Sequence, residues 1–209
     1  MTRQIGDPTL DGVARGQQVT MEGSGKFKLE IRPFLNYTEI SGQSNVPTTV
    51  YRGLSTGHSM PIWNSDQEQL YYDVCVPDRW DEASDIDVHI HCYLASAQDT
   101  DEKAFKLQVE WEHFGEAVVV PDTSNIVSVL TENIPNPTAQ FQSYHVIFTG
   151  ANAIDYDVDG GGSEIAADEN LLLRIRRIAK SGEDTEITGE LVITHVGLVF
   201  TCDKVGAAA

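Results

Sequence analysis

From Asp85 to Leu94 the chain alternates apolar and polar residues without a break. Ile86, Val88, Ile90, Cys92 and Leu94 fall on one side, and Asp87, His89, His91 and Tyr93 on the other. An extended strand points successive side chains to opposite faces, so a period of two places one face in a core and the other toward water. A helix would scatter the same residues around its circumference. A polar segment, Ser96-Ala-Gln-Asp-Thr-Asp-Glu, follows. After it, Phe105, Leu107, Val109 and Trp111 alternate with Lys106, Gln108, Glu110 and Glu112. The two alternating segments read as an antiparallel pair joined by the polar turn.

The same pattern recurs along the chain. Phe27, Leu29 and Ile31 alternate with Lys28 and Glu30, and Gln69–Val76 is an apolar run stopped by Pro77. Thr48–Arg52, Asn125–Leu130, Phe141–Thr149, Leu171–Ala179 and Glu190–Phe200 complete the predicted strands. The last is apolar on both faces, which suits a central strand. Pro135-Asn-Pro137, Gly160-Gly-Gly162 and Ser181-Gly-Glu-Asp184 are turn signals between them. Helix-forming residues are concentrated only near Glu164–Asn170, where a short helix is the competing reading. About eight to ten strands spaced by about a dozen residues predict an all-β, jelly-roll-like β-sandwich of two antiparallel sheets. Residues 1–25, polar and glycine-rich, read as an extended N-terminal arm, and 26–205 as one sandwich domain.

Charge narrows the functional classes. The 209 residues carry 32 acidic and 14 basic side chains, a formal net charge of −18. Such a surface repels phosphate backbones and anionic lipid, so neither nucleic acid nor membrane is an expected partner. No apolar run approaches the ~20 residues of a membrane span, and the first residues lack the apolar stretch of a secretory signal. Cys75, Cys92 and Cys202 form no disulfide framework by count or spacing.

Two constellations have metal-ligand character. His89 and His91 share a strand face, so both imidazoles could reach one metal, with His113, His145 or Asp87 as a third ligand. The residues four and five after His91 are Ala95 and Ser96, where a metal-binding jelly roll of the cupin type has Glu. Asp155, Asp157 and Asp159 precede Gly160, as at the start of a calcium loop. The twelfth position is Ala166 rather than Glu, so the loop is not an EF-hand and calcium would need other oxygens. Arg174, Arg176 and Arg177 are the one basic cluster, expected to pair with carboxylates. Trp63 and Trp80 could form a sugar-stacking platform or pack inside. No nucleophile elbow, P-loop or dinucleotide fingerprint occurs, and no catalytic residue is assigned.

The stretch Val88-His-Ile-His-Cys-Tyr93, a polar turn, and Phe105-Lys-Leu-Gln-Val-Glu-Trp-Glu112 resemble a pattern in tailed-phage virion structural proteins. Val74-Cys-Val-Pro77 precedes it, and Leu171–Arg177 and Leu191–Phe200 sit where that pattern has its later strands. The resemblance spans roughly Leu70–Cys202. It departs at Tyr93, one residue late for a tryptophan, and at Trp111, which stands where the pattern has Glu-Tyr. The resemblance implies a non-enzymatic jelly-roll module, often a homotrimer, that contacts other virion proteins such as the major capsid protein. Capsid cement or decoration on the outer surface of a phage particle, assembled in the host cytoplasm, is the expected role. A carbohydrate-binding β-sandwich, possible with calcium assistance, is the alternative.

Overall fold

The computed structural model describes residues 18–21, 26–36, 47, 49–60, 69–97, 103–116, 126–134, 139–157, 164–178, 186–187 and 189–203. Its strands are β1 (Gln18–Met21), β2 (Phe27–Ile31), β3 (Phe34–Asn36), β4 (Thr49–Arg52), β5 (Ser55–Met60), β6 (Gln69–Cys75), β7 (Asp87–Leu94), β8 (Lys103–Phe114), β9 (Ile126–Ile134), β10 (Ser143–Phe148), β11 (Asn170–Ile178) and β12 (Leu191–Cys202). One three-residue 3-10 turn, Gly150–Asn152, is the sole helical element among the described residues.

The strands form two antiparallel sheets, and the protein is an all-β sandwich. In the first sheet β10, β7 and β12 lie side by side. The far edge of β12 then divides. Its first residues pair with β5 of the β4–β5 hairpin, and its last with β2, which carries β1. The second sheet runs β3-β6-β11-β8-β9. Alternation puts Val88, Ile90, Cys92 and Leu94 of β7 inside, with Leu191, Ile193, Val196, Leu198 and Phe200 of β12. They meet Phe105, Leu107, Val109 and Trp111 of β8 and Leu171, Leu173 and Ile175 of β11 in one core. Each such side chain contributes about 1.5–3 kcal/mol on burial, so the facing rows hold the two sheets together.

Two expectations need correction. The segments 85–94 and 105–112 are not a pair: β7 belongs to the first sheet and β8 to the second. Alternation fixes which face is buried but not which strand lies alongside. The outward rows decide that: Glu110 of β8 lies opposite Arg174 of β11, so the acidic row pairs with the basic one. The helix considered near Glu164–Asn170 is a turn, with Asp168 at a positive φ of 65° that no helix admits. Within the predicted arm, Gln18–Met21 is a strand paired with β2, and the rest of 1–25 lies outside the described residues. As expected, β12 is central, flanked on both edges.

Candidate functional site

The outer face of the first sheet gathers four of the chain's six histidines. His145 of β10 lies directly opposite His91 of β7, and His91 lies opposite His195 of β12. His89 sits one step along β7, opposite Ile147 and Gly197. The His91 and His145 rings stack, with centroids 4.1 Å apart and planes 11° from parallel. His89 meets His145 edge-on at 4.9 Å, and His91 lies 5.3 Å from His195.

The local backbone explains how His195 reaches this face. Leu191 and Ile193 point into the core, and strict alternation would send His195 after them. A β-bulge between Ile193 and His195 inserts Thr194 and re-aims the chain. The Thr194 hydroxyl donates to the His91 carbonyl at 3.1 Å and fixes the irregularity. On the far side of β12, the Glu30 carboxylate of β2 approaches His195, with Oε1 3.2 Å from Nε2. It lies over Gly197, where the missing side chain leaves room for it. Asp87, also on the outer face, pairs with Lys28 at 3.3 Å.

Burial disfavours the charged imidazole, and a proton on His145 would disfavour it further. Both effects, desolvation first, hold His89 and His91 below the ordinary histidine range. Glu30 opposes them at both residues, more weakly. His89 and His91 are therefore close bases on a sheet surface that resist protonation until the pH falls below the ordinary histidine range.

The sequence-predicted residues divide clearly. His89 and His91 share a face, as strand spacing requires, and the pairing of β10 with β7 brings His145 to them. His113 does not join them: it belongs to β8 of the other sheet, where Nδ1 lies 2.7 Å from Glu169 Oε2. His195 and Glu30 carry no signal in the sequence as members of this group. Stacked rings set nitrogens side by side rather than aimed at one point. Among the described residues no three His, Cys, Asp or Glu side chains are placed to hold a metal ion.

Asp155 and Asp157 adjoin in a turn, where the Asp157 N–H donates to Asp155 Oδ1 at 3.3 Å. A hydrogen bond shared with Asp155 raises the Asp157 carboxyl above its usual range. Asp159, the third member of the calcium candidate, lies outside the described residues, as does Trp63. Trp80 is buried with its ring edge-on to Phe200 at 6.3 Å, so it offers no sugar platform. Glu110, expected on a solvated face, is buried between Arg174 and Arg176 and receives a hydrogen bond from Gln108. Arg177 reaches Glu186 at 3.3 Å.

Exposed large apolar residues lie elsewhere on the first sheet. Tyr51 and Leu54 project from the β4–β5 hairpin, Leu54 fully exposed at its tip, and Ile147 faces outward from β10. Phe141, just before β10, sits at a positive φ of 65° under the Arg52 guanidinium and beside Tyr93. No helix among the described residues is long and apolar enough to cross a membrane. In comparison with known proteins, no protein-family model matches the chain and no curated protein matches it.

Proposed function

We infer that the protein is a non-enzymatic structural module of a tailed-phage particle, a cement or decoration protein on the outer surface that assembles as a homotrimer against the major capsid protein. The observation that carries this reading is the placement of exposed apolar side chains. Tyr51, Leu54, Phe141 and Ile147 all come from the first sheet and the loop entering its edge strand. Single exposed apolar residues are ordinary, but four from one sheet and its entering loop suit a contact between subunits. The backbone at Phe141 adds weight, since a bulky residue at positive φ is held there at a conformational cost. A charge of −18 suits an outer surface rather than a nucleic-acid-lined interior.

Sedimentation of the purified chain tests the reading. A trimer that binds shells of major capsid protein, and that Leu54→Ser together with Tyr51→Ser dissociates, supports it. A persistent monomer with no affinity for the shell overturns it. The carbohydrate-binding alternative retains Tyr51 and Phe141 as exposed aromatics but loses Trp80. Chelator-sensitive binding on a glycan array would favour it.

A further inference from the structure

We propose that the imidazole array is a proton-operated latch that holds edge strand β10 on the sandwich when neutral and releases it when charged. The inference is independent of the phage reading. It begins with topology. β10 is an edge strand and pairs only with β7 among the described strands. Its inward residues Val146 and Phe148 are buried in the core layer, which anchors one face. On the other face, His145 rests against His91 at 4.1 Å and His89 at 4.9 Å. These contacts are favourable between neutral rings and repulsive between imidazolium ions, because like charges a few ångströms apart near a protein surface interact by several kcal/mol before screening.

The charges around the array are unevenly placed. β2 contributes Glu30 and Lys28, and β7 contributes Asp87 and the phenol Tyr93, while β12 contributes His195 itself. Glu30 is directed to His195 at 3.2 Å, and Asp87 is paired with Lys28 at 3.3 Å. Glu30 is carried by β2, and Asp87, at the start of β7, is turned to Lys28 of β2. β10 brings to it Ser143, His145 and Ile147 and no acid. Protonation at the β12 end is therefore compensated, and protonation at the β10 end is not. Repulsion accumulates between β7 and β10, at the edge that has one neighbour to lose.

Hydrogen exchange of the full chain, corrected for the intrinsic dependence of exchange on pH, tests the latch. On going from about pH 7.5 to about pH 5, β10 amides should lose protection at least about tenfold more than those of β11. His145→Gln keeps a polar, uncharged group at an exposed position and should abolish the excess loss. Equal loss in β10 and β11, or an unchanged excess in His145→Gln, overturns the proposal. Histidine NMR titration of the unaltered protein is the second measurement. Mutually dependent His91 and His145 curves support the latch, and independent single-site curves overturn it.

Discussion

The Glu30 carboxylate occupies the space that a side chain at position 197 would fill. A Cβ built on Gly197 overlaps Glu30 Oε1, the atom that faces His195. The glycine thus lets an acid from β2 lie across β12 and reach the imidazole two residues away on that strand. The obstruction is the far end of a flexible side chain, so Gly197→Ala should displace Glu30 rather than distort the sheet. We expect a loss of about 1 kcal/mol, the worth of one exposed ion pair or hydrogen bond. In a Glu30→Ala background the same substitution should cost nothing. A double-mutant cycle by urea denaturation checks this, and equal costs in both backgrounds would refute the coupling.

Gly57 is a contrasting case. A Cβ there would lie 2.6 Å from Val192 Cγ1 and 2.8 Å from the Ile193 carbonyl oxygen. The carbonyl belongs to β12 and cannot swing aside. Gly57→Ala should therefore cost about 1–3 kcal/mol, as overpacking does, and Glu30→Ala should not rescue it. A shift in the urea midpoint without a change in slope is the expected reading.

These two glycines also mark where the sequence was legible. Alternation revealed β2, β6, β7, β8 and β11, because each has one apolar row, and apolar residues on both faces revealed the central place of β12. It did not reveal β5, Ser55–Met60, whose residues are mostly small or polar and which is held by pairing with β12. It could not pair β7 with its true neighbours, since an apolar row states what is inside and nothing about the edges. Half of the imidazole array was visible as the spacing of His89 and His91. His195 was hidden because a one-residue bulge reverses its face, and Glu30 because it acts across a neighbouring strand. Glu110 looked solvated, since its burial depends on two arginines more than sixty residues away in the chain.

Glu110 supports a third prediction. Its side chain is 3% exposed, while those of Arg174 and Arg176 are 32% and 26% exposed. Removing the acid would leave two guanidinium groups facing each other across a buried site. Breaking a buried ion pair from one side costs about 3–5 kcal/mol, and the partial exposure of the arginines should keep Glu110→Ala near the lower end. Arg174→Met or Arg176→Met alone should cost less, because Glu110 keeps one partner. Thermal denaturation of the three variants checks the order.

The cysteines give a chemical test of the described core. Cys75 is exposed, whereas Cys92 and Cys202 are buried. Desolvation pushes the Cys202 thiol up to about 12, so almost no thiolate forms there. Native protein should react with one equivalent of a maleimide, at Cys75, and denatured protein with three. Reaction at Cys75 should itself be slow near neutral pH, since partial desolvation of the thiol and the nearby Asp168 and Asp78 carboxylates raise it. Cys75→Ser should abolish native labelling without changing stability.

The pH dependence of stability has a fixed sign. Burial lowers His58, and burial with the charge of neighbouring His145 lowers His89 and His91, from the ordinary value of 6.5. Below 6.5 and above their folded values, the unfolded chain binds more protons at these sites than the folded one. Stability from these groups is therefore fully present above about pH 6.5 and lost as the pH falls through the folded values. Asp85 and Glu112, raised mainly by burial, act oppositely: they favour the folded state at low pH and lose that contribution as the pH rises through their own folded values. They begin from 3.8 and 4.5, so their window lies nearer the acid end. The urea midpoint should stay level above about pH 7 and fall on acidification toward about pH 5.5. His89→Gln with His91→Gln should flatten that fall, leaving the part due to His58. A midpoint that rises over this range, or a fall unchanged in the double variant, would contradict the assignment.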